Sequence, residues 1–304
     1  MEIFQSMKSG NGVYANFVRQ IDASSITDFS EIPLLPIEFF KSHRIQHPTI
    51  EDVPYFESSS TTGIGTSKRY LTHPEWYHQA IEEGFERVFG STQNYAILAL
   101  LPGYLNRPNA SLIYMVNRLI QATGHPKSGF YLDNYAGLAK AIDEIRKTTP
   151  ERRVFLWGVT FGLLDLLDHF PGKIQPDIVL ETGGMKGRRK EIIAEELHQI
   201  LKSGFHVSTI YGEYGMTELY SQAYGSDGLY KPPPWMKVVP IREDNPFESA
   251  PHGKTCRLGI IDLANRDACP FLLTSDLGRV FEDGSFQVLG RMDHSDVRGC
   301  SQMV

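Results

Sequence analysis

Residues 58–70 read Ser-Ser-Ser-Thr-Thr-Gly-Ile-Gly-Thr-Ser-Lys-Arg-Tyr. Such a run offers what an anion needs. Ser58, Ser59, Ser60, Thr61 and Thr62 carry hydroxyl donors, and Gly63 and Gly65 allow successive backbone N–H groups to turn inward as a nest. Lys68 supplies charge, or Arg69 does so in its place. The chemistry these types suit is the holding of phosphate. The spacing is not that of a P-loop, which requires G-x-x-x-x-G-K-[ST], and the same composition also suits a plain surface loop. A flexible linker is the weaker reading, because only a short irregular segment precedes residue 58 and a linker joins two self-sufficient domains. Other residues with chemical potential follow. Tyr214-Gly215-Met216-Thr217-Glu218 comes after a predicted strand, Asp276 stands in Thr-Ser-Asp-Leu-Gly-Arg, Gly290-Arg291-Met292-Asp293 lies near the end, and Cys300 follows Arg298-Gly299. Read locally, Glu218 could open a helix, where acidic residues favour the first turn, and Asp276 could be a turn residue.

The elements that must position these residues alternate. His73–Gly90 is predicted helical, with Trp76, Ile81, Phe85, Val88 and Phe89 near one face and Pro74 suited to a first turn. Asn94–Gly103 holds a continuous apolar run closed by Pro-Gly, which suits a strand buried on both faces. A helix is predicted over 109–124, with Asn109 or Ser111 as cap and Gly124 as stop. Helix 135–148, strand 152–160, helix 161–170, strand 176–184, helix 186–204 and strand 205–215 follow. Strand–helix alternation with buried-type strands predicts an α/β fold with mostly parallel sheets flanked by helices. After about residue 230, short strand-like pieces with Gly, Pro and Asp-Gly punctuation predict a small antiparallel β subdomain. The expected organisation is an irregular lead-in packed on the body over 1–55, an α/β nucleotide-binding body over 56–230, a β-rich subdomain over 231–290 and a short tail over 291–304.

A net charge of −6 argues against a nucleic-acid binder working through a broad basic surface. Cys256, Cys269 and Cys300 form no CxxC pair and have no His at metal spacing, so neither a disulfide framework nor a zinc site is indicated. No apolar run approaches the length of a membrane span, and the opening residues do not read as a secretory signal. The expectation is a cytoplasmic protein.

The 58–68 loop, the Tyr214–Glu218 segment, Asp276 and Gly290-Arg291-x-Asp293 stand in the order found in the adenylate-forming (acyl-activating, AMP-binding) superfamily, which the chain resembles over roughly residues 55–304. The resemblance implies the large N-terminal domain of such an enzyme. It implies that Ser59, Ser60, Thr61, Thr62 and Gly63 close over the β and γ phosphates of ATP. Tyr214 and Gly215 would lie near adenine, Thr217 would meet the α-phosphate, and Glu218 would help hold Mg²⁺. Glu181–Arg188 resembles the turn along which adenine stacks, so Gly183 and Gly184 are candidates for close backbone approach. Asp276 would accept the ribose hydroxyls, and Arg291 would sit at the junction where larger relatives hinge into a C-terminal lid. That lid is expected to be absent here.

Two departures go with the resemblance. The loop has Ser-Ser-Ser where the family usually has a Gly before its Thr pair, and Lys68 sits later than the usual lysine. The chain is most similar to the short, LuxE-like acyl-protein synthetase branch, which carries its acyl group on a cysteine near the C-terminus. Cys300 is that candidate, since a neighbouring guanidinium favours the nucleophilic thiolate. The implied function is ATP- and Mg²⁺-dependent activation of a fatty or aromatic carboxylic acid to acyl-AMP, with transfer to a thiol. The alternatives are an acyl-CoA ligase of the phenylacetate-CoA ligase type and a non-catalytic nucleotide- or acyl-adenylate-binding scaffold. The acceptor would be an acyl-accepting protein or CoA.

Overall fold

The computed structural model describes residues 1–9, 12–21, 23, 26–46, 53–58, 65–102, 109–183 and 193–292. The lead-in is not irregular. It forms helices α1 (Glu2–Ser9) and α2 (Val13–Gln20), the two-residue strand β1 (Leu35–Pro36) and the single-turn α3 (Phe39–Ser42). The apolar residues that looked scattered among Pro breaks are drawn into one core. Phe4 and Tyr14 lie at 0% and 2% exposure, edge-to-face with each other, and both rings contact Phe271. The Tyr14 hydroxyl donates to the Pro33 carbonyl at 2.8 Å, which satisfies its one polar atom in that core.

Strands β2 (Tyr55–Glu57) and β3 (Lys68–Tyr70) pair antiparallel, so the hydroxyl-rich segment joins the two arms of a hairpin. Helix α4 (Pro74–Phe89) starts on Pro74 at its first turn, where a missing N–H costs nothing. Its buried face is Tyr77, Ala80, Ile81, Phe85 and Phe89. Val88, expected on that face, is 44% exposed, because Tyr77 rather than Trp76 opens the apolar stripe. Strand β4 (Tyr95–Leu100) is buried at every position. Helix α5 (Ser111–Thr123) stops at Gly124, whose φ of 60° is the left-handed conformation that glycine adopts freely. Neither expected cap is used: Ala110 occupies the cap position and no side chain bonds the helix start.

The alternation continues through β5 (Gly129–Phe130), α6 (Tyr135–Thr148), β6 (Arg153–Val159), α7 (Thr160–His169), β7 (Ile178–Thr182), α8 (Ala194–Phe205) and β8 (Ile210–Tyr214). Strands β5, β4, β6, β7 and β8 lie side by side and parallel. Period-two alternation sends Ile97 and Ala99 to the α4–α5 side and Leu98 and Leu100 to the α6–α7–α8 side. Both faces are thus dry, and each buried Ile or Leu stabilises the fold by roughly 1.5–3 kcal/mol.

The antiparallel strands expected late in the chain continue the same sheet. They are β9 (Ala223–Ser226), β10 (Leu229–Lys231), β11 (Met236–Ile241), β12 (Thr255–Asp262), β13 (Phe271–Val280) and β14 (Phe286–Arg291). Strand β9 pairs with β8, and the order runs on through β10, β14, β13 and β12 to β11, with β1 parallel to β13. The sheet therefore changes from parallel to antiparallel at β8–β9. The C-terminal ends of β7 and β8 open at that change, where an α/β sheet leaves a crevice.

Candidate active site

A cleft of about 470 Å³ lies at this change of direction. The end of β8 contributes Glu213, Gly215, Thr217 and Glu218, and the end of β7 contributes Thr182 and Gly183. The hairpin brings Ser58, Gly65 and Ser67 to the same space, and β13 and β14 bring Asp276 and Arg291. Four stretches far apart in sequence thus meet in one place. Ser59, Ser60, Thr61, Thr62, Gly63, Gly184 and Cys300 lie outside the described residues.

The neck of the hairpin is cinched. Ser67 N–H donates to Ser58 Oγ at 2.9 Å, Ser58 N–H donates to the Ser67 carbonyl at 3.0 Å, and the Thr66 hydroxyl donates to the Glu57 carboxylate. Ser67 also lies close enough to the Glu218 carboxyl to pull its pKa down. Glu218 is 6% exposed, and burial pushes its carboxyl above the usual range against the opposing pull of Ser67, Arg291 and Arg69. A desolvated carboxylate at the wall of a cleft is a ready partner for a cation.

Why this segment holds its shape is visible in the groups behind it. The fully buried Asp262 carboxylate accepts from the Tyr220 and Ser221 amides, both at 2.9 Å, and from the Ser221 hydroxyl at 2.6 Å. Asn265 donates to the Glu218 carbonyl at 2.8 Å. Arg69 donates through Nε to the Thr217 carbonyl at 2.6 Å. The Thr217 hydroxyl, left pointing at the cleft, sits 3.4 Å from Ser111 Oγ at the start of α5.

Arg69, not Lys68, carries the inward charge. Strand alternation in β3 buries Arg69 completely, with its guanidinium 4.2 to 5.0 Å from the Tyr220, Tyr77 and Phe56 ring centroids. Lys68 faces the other way, its ammonium 4.8 Å from the Tyr55 ring, and does not line the cleft. The expectation for Lys68 is corrected by that two-residue period. A different lysine lines the cleft: Lys41, exposed on α3, whose carbonyl lies 3.9 Å from the side-chain position at Gly65.

Asp276 is 4% exposed and accepts from Tyr214 Oη and from Arg291 Nε, both at 2.8 Å. Arg291 itself is largely exposed at the cleft mouth. Tyr214 lies behind Asp276, edge-on to Phe286 with ring centroids 5.1 Å apart, so it positions that carboxylate. Gly183 takes a φ of 80°, a conformation that favours glycine, and lets the backbone border the cleft without a side chain. Gly215 is bare for a different reason, since a side chain there would overlap the Glu213 carboxylate.

Glu213 was missed in the sequence. Its signal is a carboxylate near the end of a strand that has neighbours on both sides, where unpaired charge is rare. Burial pushes its carboxyl from 4.5 up to about 7, only partly opposed by the Thr182 hydroxyl, which donates to Oε2 at 3.3 Å. The folded state therefore binds this proton more tightly than the unfolded chain. The associated stability is complete below about pH 4.5 and lost as pH rises through 7, an effect on the order of 3 kcal/mol. Glu213→Gln removes that loss, so urea unfolding will show the variant gaining on the wild type between pH 5 and 8. Parallel pH dependences in the two proteins would refute the assignment.

No family model matches the sequence, and no curated protein matches it. Solved structures do match its fold. ATP-bound MatB from Rhodopseudomonas palustris superposes with a TM-score of 0.55 at 15% identity, covering 78% of this chain and 47% of that one. O-succinylbenzoate Coenzyme A synthetase (MenE) from Bacillus subtilis, in complex with ATP and magnesium ion, gives 0.52 at 18% identity over 78% and 49%. The anthranilate CoA ligase AuaEII in complex with anthranoyl-AMP gives 0.53 at 16% identity over 78% and 46%. At such identities the likeness is one of fold, and it is the fold that the adenylate-forming resemblance implies. The chain spans a little under half the length of these structures.

Proposed function

We propose that this chain uses ATP to activate a carboxylic acid, fatty or aromatic, as an acyl-AMP and passes the acyl group to a thiol. The single observation that carries the reading is the meeting of the hairpin neck with the buried Glu218 in one cleft, where Ser67 and Glu218 both line the wall. In the reaction a carboxylate oxygen of the acid bonds to the α-phosphorus, the bond from that phosphorus to the bridging oxygen breaks, and pyrophosphate leaves with the electron pair. Both reactants are anionic, so the site must neutralise charge and align the attack.

Each residue present fits a part of that task. Thr217 and Ser111 offer hydroxyl donors to the α-phosphate and the acid's carboxylate. Asp276 would take the ribose hydroxyls on its remaining lone pairs, since each carboxylate oxygen accepts more than one hydrogen bond. Backbone around Gly183 and Gly215 offers a flat approach for adenine. Lys41 and Arg291, both exposed at the cleft, supply positive charge where the triphosphate would emerge. A magnesium ion is commonly held by one or two carboxylates plus phosphate oxygens, and Glu218, desolvated at the cleft wall, suits that role. When bound, the ion would offset phosphate charge in the attack.

For the second half-reaction, Cys300 is the proposed acceptor, as in a LuxE-like acyl-protein synthetase, with CoA as the alternative thiol. The test is ATP–pyrophosphate exchange with a panel of acids, followed by a search for acyl transfer. Acid-dependent exchange is expected, with hydroxylamine-labile labelling of the protein that Cys300→Ser abolishes. Acyl-CoA formation without self-labelling would move the acceptor to CoA. Nucleotide binding with no exchange for any acid would overturn the enzymatic reading in favour of a scaffold.

A further inference from the structure

Two side chains at the inner end of the cleft are not used by the chemistry above. Glu213 and Gln222 both line it, and both border the same point: a side chain at Gly215 would overlap Glu213 Oε1 and come within 3.3 Å of Gln222 Cγ. Gln222 is 4% exposed. Its amide nitrogen donates to the Tyr220 carbonyl at 3.2 Å, which can only accept, so the amide orientation is set and Oε1 is the end that remains. That oxygen is buried with no hydrogen-bond partner. The Glu213 carboxylate receives one hydrogen bond, from Thr182 to Oε2, and no cation is among the groups that act on it. The ionisable neighbours that feel its charge are the phenols of Tyr77, Tyr224 and Tyr230.

Above about pH 7, where Glu213 is ionised, two acceptor side chains thus flank Gly215, and among the described residues nothing donates to Gln222 Oε1 or to Glu213 Oε1. The Gln222 oxygen is the buried one of the pair, and a buried acceptor left without a donor is destabilising, whereas the Glu213 carboxylate is half-buried at the cleft. The same cleft also has apolar lining. Leu112 and Met115 come from α5, and Tyr77 is held by parallel stacking on Tyr114 at 5.7 Å between ring centroids. An apolar slot ending in two acceptors is complementary to a molecule with an apolar body and a donor at its far end.

We infer that the acid taken by this cleft carries a hydrogen-bond donor, an amine or a hydroxyl, on the end remote from its carboxylate, and that this donor lodges between Glu213 and Gln222. The inference rests on the proposed acid activation and names the substrate class for the same site. An acid with an amino or hydroxyl group fills both acceptors at once. An acid of the same size that ends in C–H leaves them desolvated and unpaired. Sites built to bond a substrate O–H or N–H reject the analogue lacking it far more strongly than apolar pockets reject a missing methylene.

The experiment measures kcat/KM for acid-dependent ATP–pyrophosphate exchange with size-matched acids. Benzoate is compared with its amino and hydroxy derivatives, and hexanoate with its ω-amino and ω-hydroxy derivatives. The donor-bearing member of at least one set is expected to be favoured by 100-fold or more, and amine against hydroxyl arms show which donor is preferred. Glu213→Leu is expected to collapse that preference to within about fivefold, mainly through a rise in KM for the donor-bearing acid, with ATP affinity unchanged. Equal use of plain and donor-bearing acids by the wild-type protein overturns the inference while leaving acid activation intact, and needs no variant to fold. Exchange with none of the acids, plain or substituted, counts against the proposed function itself. A donor preference that survives intact in a folded Glu213→Leu protein also overturns the inference.

Discussion

Glu218→Gln is expected to lower acid-dependent ATP–pyrophosphate exchange by about 10²–10³-fold, the scale on which removal of one preorganised electrostatic group acts. The substitution keeps the shape of the side chain but removes the charge that would meet a metal cation. It is not expected to weaken the fold. Burial raises the Glu218 carboxyl above its usual range, so the native state favours the protonated form and its stability falls as pH rises past the ordinary carboxylate range. A neutral amide removes that liability. At pH 7.5 the variant should therefore melt at or above the wild-type temperature while its exchange is nearly gone. Exchange within threefold of wild type, measured at saturating ATP and magnesium, would remove Glu218 from the reaction.

The second large effect falls on stability. Arg69→Ala should reduce the free energy of unfolding by about 3–5 kcal/mol, the scale seen when one partner of a buried charge network is removed. The guanidinium is fully buried among three aromatic rings, donates to the Thr217 carbonyl, and is among the positive groups that lower Glu218. Truncation leaves a cavity, strips one restraint from the segment bearing Thr217 and Glu218, and leaves two buried carboxyls, Glu218 and Asp262, with less compensation. Lys68→Ala, one residue away, should cost under about 1 kcal/mol, since it loses a single contact with the Tyr55 ring at a partly exposed site. Urea unfolding of the two variants at pH 7 gives the ranking. If Lys68 proved the more costly of the pair, the inward assignment of Arg69 would be wrong.

Much of the fold was legible because its signals are local. The continuous apolar run at 95–100 suited a strand dry on both faces, and the apolar period of 111–123 with Gly124 beyond it marked a helix and its end. Other elements escaped local reading. Residues 2–20 look irregular in isolation because their apolar residues have no partner nearby. They become two helices only against Phe271 and its neighbours on β13, some 250 residues on. The antiparallel strands looked like an appended unit. Hydrogen bonding between β8 and β9, a property of neither strand alone, makes them one sheet with the rest.

The candidate site divides along the same line. Residue types marked the hydroxyl-rich segment, whereas the Tyr214–Glu218 segment, Asp276 and Arg291 stood out through their order along the chain, which resembles that of the adenylate-forming superfamily. Only the tertiary structure decided that they border one cleft, that Arg69 rather than Lys68 turns inward, and that Glu213 and Gln222 face the same corner. The physical reason is that desolvation, which moves a carboxyl toward neutral pH or leaves an amide oxygen unpartnered, depends on what surrounds a group in space. For Arg69 the decisive neighbour, the Thr217 carbonyl, lies 148 residues away along the chain.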